Sequence, residues 1–254
     1  MALPGMRRDG GFTLTELAVV VAIIGLLLAS AMYTLSAQTQ QRNFEETRRR
    51  LEAARELLLT FAIVNGRLPC PAISTSSGDE APVGGGTCTA PGPYGGWLPA
   101  RSIGYQMVDA GGFAIDAWGN RIRYAVSASS LTGCIGGTLP HFTSATNLRT
   151  NGLTCQPNDL VVCRTATGIT ATTCGAALAV TNQNTLVALV FSTGKNGGQG
   201  SAGVDEAANL NGDRVFVWHT PTPVDSANGE FDDQMAWIAV GELYGRMVAA
   251  GVLP

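Results

Sequence analysis

The sequence predicts an α+β fold: one long N-terminal helix, spanning a membrane in its first half, packed against an antiparallel β-sheet head that carries a Cys-rich loop insertion. Three observations predict it. Residues 17–41 contain no charged side chain, residues 42–62 continue without Gly or Pro, and beyond residue 66 short β-branched or aromatic runs alternate with turn residues. The 254-residue chain is 45% hydrophobic and 14% charged, which excludes a disordered chain. A net charge of -3 supplies no basic field for a phosphate backbone, so nucleic acid is disfavoured as a partner. The 32 glycines and 12 prolines argue for short strands and long loops rather than a helical bundle.

The amino end reads as a polar leader, residues 1–11, with Arg7 and Arg8 ahead of the apolar run. A span of hydrocarbon needs about 20 residues at a rise of about 1.5 Å each, and residues 14–35 supply them. Arginines on the amino side place that end in the cytoplasm and the remainder outside. A cleaved secretory signal also begins basic and turns apolar, but this run is longer than such a core, and no small-x-small cleavage site followed by a polar mature start follows it. Glu16 sits at the edge of the run, where a carboxylate at the centre of hydrocarbon costs about 2.5–3.5 kcal/mol and less near an interface. Something must compensate it. A snorkelling interfacial glutamate would account for Glu16 alone.

The segment Gly10-Gly11-Phe12-Thr13-Leu14-Thr15-Glu16-Leu17 resembles the leader of type IV prepilins and type II secretion pseudopilins. That resemblance implies that a prepilin peptidase cuts between Gly11 and Phe12 and methylates the new amino terminus of Phe12. Glu16 then becomes the fifth mature residue and meets the freed amine of a neighbouring subunit. At about 4 Å and an effective dielectric near 20, such a pair gains up to about 4 kcal/mol, enough to offset the burial cost. The resemblance covers about a quarter of the chain, to residue 65, and implies a pilin-like fold. It also implies a single-pass protein of the bacterial inner membrane, cytoplasmic at its N-terminus with a periplasmic head at 66–254, assembled into a pilus or pseudopilus. Its partners would be other pilins or pseudopilins, the peptidase and an inner-membrane assembly platform. Many pilins carry a proline in the membrane half of this helix; here Tyr33 stands near that place.

Residues 12–65 are predicted as one helix, a rod of about 80 Å. Leu51, Ala54, Leu58 and Phe61 form a stripe to seat the head, while Glu45 with Arg49 and Glu46 with Arg50 make i,i+4 pairs. The triplet Arg48–Arg50 therefore reads as a paired, solvated face rather than a nucleic-acid contact. Gly66, Pro69 and Pro71 end the helix. Strands are predicted over 121–127, 186–192, 214–219 and 235–240, lying on the helix stripe, with a short closing helix over 242–250.

Cys70, Cys88, Cys134, Cys155, Cys163 and Cys174 form no C-x-x-C pair, which disfavours a zinc or thioredoxin-type site and favours disulfides in an oxidising compartment. Cys70 with Cys88 would close a loop of about twenty residues, although six cysteines allow fifteen pairings. Residues 127–184, nearly uncharged and holding four of the cysteines, read as an insertion on the sheet rather than a second core.

Two head segments resemble pseudopilins in particular. Asp116-Ala-Trp-Gly119 looks like the family's D-x-W-G turn, and 191–200 with the later Phe231-Asp-Asp-Gln-Met-Ala-Trp237 resembles the loop that holds calcium in major pseudopilins, at a stretched spacing. Calcium takes about six to eight oxygens, for which Asp205, Asp213, Asp232 and Asp233 are candidates; the competing reading is Asp capping turn amides. No EF-hand pattern fits.

Catalytic motifs are absent. Ser192-Thr-Gly-Lys-Asn196 lacks the first glycine of a phosphate loop, where Leu189 stands, and its final hydroxyl, where Asn196 stands. No G-x-S-x-G elbow occurs, and His141 and His219 read as packing or turn residues. The four tryptophans are expected to anchor the head core. The reading is a minor pilin or pseudopilin, the head being large for a major subunit. The alternative is a membrane-tethered periplasmic hydrolase or binding domain with a prepilin-like anchor.

Overall fold

The computed structural model describes residues 13–129, 140–197 and 203–253, and within helix α1 it leaves the side chains of 30–36 undescribed. The chain divides into two compact units, Met1–Asn43 and Phe44–Pro254. Helix α1 (Leu14–Asn65) gives residues 14–43 to the first unit and 44–65 to the second, and it runs through position 33 without interruption. In the first unit the apolar side chains face outward on every side: Leu17, Val21, Ile23, Leu26 and Leu28 are all more than half exposed. Among the described residues no helix is long and apolar enough to cross a membrane.

In the second unit α1 ends where the sequence predicts. Gly66 takes φ +68°, a left-handed conformation that closes helices and that a side chain resists. A four-stranded antiparallel sheet follows, in the order β1 (Gly96–Trp97), β2 (Arg123–Val126), β4 (Leu186–Ser192), β6 (Gln234–Ala239). Side chains alternate across its pleat. Tyr124 and Val126, Ala188 and Val190, and Ala236 and Ile238 face a core built with Leu51, Ala54, Leu58, Leu59 and Ala62 of α1. Phe61 packs at the edge of the same core, so all four positions of the predicted stripe are engaged.

Helix α5 (Val240–Ala249) closes this layer with Leu243 and Met247. Arg55 locks the arrangement: its Nη2 donates to both carboxylate oxygens of Glu242 at 2.5 and 2.6 Å, and its Nε donates to the Trp237 carbonyl at 3.0 Å. The short helices α2 (Ala100–Ile103) and α3 (Ala145–Asn151) lie in connections; α3 is capped by Ser144, whose side chain accepts from the Asn147 amide.

Two expectations are corrected. The segment over 214–219 forms β5 (Val215–Val217), but β5 is not in the main sheet; it pairs in parallel with β3 (Val161–Cys163) as a separate two-stranded sheet. Nor is the 127–184 segment a mere decoration. Leu160 and Val162 from it join Phe216 against Ala125, Leu186, Leu189 and Phe191, a second core on the other face of the main sheet. Strand β4 is consequently buried at all seven positions. Strands β3 and β5 are likewise buried at every position, with Val162 and Phe216 in this core and Val161, Cys163, Val215 and Val217 in smaller clusters, so they read as unbroken apolar runs instead of alternating ones.

Disulfides join Cys70 to Cys88, as expected, and Cys163 to Cys174. Cys155 is buried, and Cys134 lies outside the described residues. The tryptophans line rims rather than fill the core: Trp218 meets Trp237 edge-on at 5.7 Å with 36% exposure, and Trp118 meets Phe44 at 5.2 Å. The fully buried aromatics are Tyr124, Phe142, Phe191, Phe216 and Phe231.

Candidate functional site

Two places carry the chemistry that the sequence singles out. At the start of α1, Thr13 and Glu16 form a reciprocal cap. The Thr13 amide and hydroxyl donate to Glu16 Oε2 at 2.9 and 2.8 Å, and the Glu16 amide donates to Thr13 Oγ1 at 3.3 Å. This is the arrangement in which a hydroxyl residue and a glutamate three positions later satisfy the open amides of a first turn. Both bonds from Thr13 fall on Oε2. Gly11 and Phe12, the expected processing junction, and the leader 1–11 lie outside the described residues.

The second place is a buried carboxylate cluster. Glu206, in the first turn of α4 (Val204–Leu210), lies with Asp232 and Asp233, just ahead of β6, so that one oxygen of each falls within 4.8 Å of the others. All three are buried. The Asp232 amide donates to Glu206 Oε1 at 2.9 Å, Asn196 Nδ2 donates to Glu206 at 3.0 Å, and the Lys195 amide donates to Asp232 Oδ2 at 2.9 Å. Asn209 Nδ2 donates to Asp233 Oδ2 at 2.7 Å. Asp232 Oδ1 and Asp233 Oδ1 are buried and have no hydrogen-bond partner among the described residues.

Burial pushes the Asp232 carboxyl up to about 6, with the charges of Glu206 and Glu230 adding to it. Burial likewise holds Asp233 well above the usual carboxylate range, again with help from its acidic neighbours. Buried carboxylates ordinarily carry a cationic or hydrogen-bonding partner on each oxygen, and two here lack one. A divalent cation fits that deficit. The donors are all oxygens, with no His or Cys, which selects a hard ion such as calcium. Asp233 also borders a cleft of about 250 Å³ with Trp218, His219 and Met235. At Gly194, φ +61°, a Cβ would stand 1.8 Å from Asp232 Oδ1, so only glycine lets the loop close over this carboxylate.

Asp232 and Asp233 are thus brought together as the sequence suggests, but Asp205 and Asp213 stand elsewhere. Asp205 accepts from the Ala166 amide, Thr165 Oγ1 and Asn228 Nδ2, and its Oδ2 lies 3.2 Å from His219 Nε2. Asp213 caps the Val215 amide at 2.8 Å, the turn role weighed against metal binding. Glu206 was not singled out by the sequence. The available signal was Val204-Asp-Glu-Ala-Ala-Asn-Leu210, a helix-compatible run with two acids in its first turn. Successive helical residues point about 100° apart, so Asp205 and its neighbour serve different places.

The D-x-W-G turn supports the same region. Asp116 Oδ1 accepts from the Trp118 and Asn120 amides at 2.9 and 2.8 Å, its Oδ2 accepts from Ser192 Oγ at 2.6 Å, and burial raises its pKa. Asn120 Nδ2 donates to the Gly194 carbonyl at 2.6 Å, which ties the turn to the loop over Asp232. Arg50 Nη1 donates to the Asp116 carbonyl at 2.7 Å while its Nε pairs with Glu46 at 3.0 Å, so the arginine triplet is partly a structural strut. His141 is buried, its Nε2 lies 3.1 Å from Tyr244 Oη, and burial lowers its pKa to about 4. The Tyr244 hydroxyl donates to the Cys155 carbonyl, so His141 Nε2 is the donor in that pair. Both histidines are engaged in packing and turn contacts, as expected.

Residues 6–32 match the family model described as the prokaryotic N-terminal methylation motif. The chain therefore carries the hallmark of prepilin-type pilins and pseudopilins, and the motif includes Gly11, Phe12, Thr13 and Glu16. No curated protein and no solved structure matches the chain.

Proposed function

We propose that this protein is a minor subunit of a type IV filament, a pilus or a type II secretion pseudopilus, with a structural rather than an enzymatic role. The observation that carries this reading is the N-terminal methylation motif at 6–32. Two features support it. An apolar helical surface exposed on every side requires lipid or sibling helices to cover it. Glu16 stands in the first turn of α1, where Thr13 holds its carboxylate at the helix start.

In this reading prepilin peptidase cuts after Gly11 and methylates Phe12. The chain is held in the inner membrane through residues 14–35 with its head in the periplasm, and the assembly platform moves it into the filament. There Glu16 pairs with a neighbour's amine at position 12. Calcium held by Glu206, Asp232 and Asp233 would neutralise the buried charge and fix the loops around it, a structural contribution only.

Mass spectrometry of the native protein tests the processing step: the expected N-terminus is methylated Phe12, and a chain still beginning at Met1 overturns the proposal. Glu16→Ala should be processed normally yet be depleted from sheared filaments. Wild-type recovery of that variant in filaments removes the assigned role of Glu16.

A further inference from the structure

Strand β6 is the last strand of the main sheet, and one of its edges has no neighbour there. Alternate residues of an antiparallel strand turn amide and carbonyl to one side, and the rest turn them to the other. The Ser127 amide donates to the Val187 carbonyl at 2.8 Å, so in the register of β2 with β4 the odd-numbered positions of β4 face β2. Ala188, Val190 and Ser192 therefore face β6, where they meet Ile238, Ala236 and Gln234. Met235 and Trp237 turn outward. The Trp237 carbonyl agrees with this, since it accepts from Arg55 Nε of α1 at 3.0 Å. Among the described residues the Met235 amide and carbonyl and the Trp237 amide have no hydrogen-bond partner. The other strand edges are closed. The Trp97 amide on β1 donates to the Ala72 carbonyl at 2.9 Å, and the Val180 amide donates to the Val162 carbonyl of β3 at 2.7 Å. Asn209 bonds both the amide and the carbonyl of Val217 on β5, at 2.7 and 3.0 Å.

The space beside this open edge is the cleft of about 250 Å³, and β6 residues 233–236 line it. Phe44 and Leu51 of α1 line it on one face of the sheet, the face that Ala236 and Ile238 share with α1. Trp218, which meets Trp237 edge-on, and Met235 line it on the other face. The two walls thus leave free the plane between them, where a further strand of the sheet would lie. Gln234 Nε2, a buried donor with no partner among the described residues, belongs to the same lining. Both walls are apolar at these positions. Successive residues of a strand point to opposite faces, so a guest strand meets both walls best with consecutive apolar side chains, and a charged one would lose its water there.

We infer that the outer edge of β6 receives an extended, uncharged, apolar segment of a partner polypeptide as an added strand. An unpaired amide and carbonyl on one residue are complementary to the same two groups of another backbone, which is how a peptide extends a sheet. Side chains then seat against Phe44 and Leu51 on one face and against Trp218 on the other. A sheet cannot dock here, because the edge is recessed between its walls; a single extended stretch can. The same recess argues against a second copy of this chain, whose own free edge among the described residues is again β6. The inference rests neither on the N-terminal motif nor on an ion at the acidic cluster.

Amide exchange followed by NMR on the full chain in a zwitterionic detergent, with acetyl-Ser-Val-Ile-Val-Ser-amide as the probe, tests the inference. Without peptide the Met235 amide should exchange about tenfold or more faster than those of Gln234 and Ala236. Peptide should slow Met235 saturably, by about tenfold or more, and leave the other two unchanged. A copy of the peptide N-methylated at all three central residues keeps the side chains and loses the backbone donors, so it should give no protection. Trp218→Ser, a change at an exposed wall, should weaken the peptide by about fivefold or more. No saturable protection of Met235, or equal protection by the methylated copy, overturns the inference. Equal affinity of Trp218→Ser overturns the placement of the guest between the walls. Protection of Met235 that appears without peptide as the protein is concentrated gives the edge to a second copy and overturns the partner assignment.

Discussion

Replacing Asp233 with Asn should stabilise the head in chelator and destabilise it in calcium. The cluster places three carboxylates with oxygens inside 4.8 Å of one another, and each charged pair at that distance repels by about 3.5 kcal/mol at an effective dielectric of 20. Asn at 233 keeps an acceptor for Asn209 Nδ2 and removes two of those three repulsions. Protonation of Asp232, whose pKa is already raised, absorbs much of the gain, so the chelated variant should be more stable by about 1–2 kcal/mol. In calcium the wild type gains instead, by about 2.7 kcal/mol when the ion is at a hundredfold excess over its dissociation constant. For a unit of this size each kcal/mol moves the midpoint by about 2–4 °C, so calcium should raise the wild-type midpoint by about 5–10 °C and the variant's far less. Circular dichroism melts of both proteins in calcium and in chelator give the four midpoints. A wild type indifferent to calcium, or a variant destabilised equally in both buffers, would refute the reasoning.

Two further outcomes follow from buried groups. His141 has a folded pKa of about 4, below its unfolded value of about 6.5, so the unfolded chain takes up a proton that the folded chain refuses. Its contribution is therefore complete above about pH 6.5 and declines by at most about 3 kcal/mol as pH falls to about 4, levelling off below. Urea melts across this range should show a shallower decline in His141→Gln, and an identical pH profile would contradict the assignment. Converting Cys163 and Cys174 to serine opens a loop with a sequence separation of 11, worth about 3 kcal/mol in the chain-entropy picture. A midpoint unchanged in the double variant would show that the bridge constrains nothing.

The helix and the central strands were legible because their signals are local. Strand β4 occupies the predicted 186–192, β6 and α5 begin one or two residues early, and Gly66 stops α1. Long-range partnership was not legible. Nothing in Val161-Val-Cys163 announces that it runs parallel to Val215–Val217, because a three-residue apolar run is compatible with many settings. The acidic site was half legible. Asp232 and Asp233 follow a pattern in the chain, whereas Glu206 reaches them only through the turn of α4, a helix that the Gly- and Asn-rich surroundings concealed.

The layer built by β3 and β5 has a consequence for how this head tolerates change. A sheet wrapped on both sides cannot be trimmed from one of them. Deleting the disulfide-bearing segment would strip Leu189 and Phe191 of their cover and leave a sticky aliphatic and aromatic wall facing water. Shortening this head therefore requires rewriting the exposed wall at the same time.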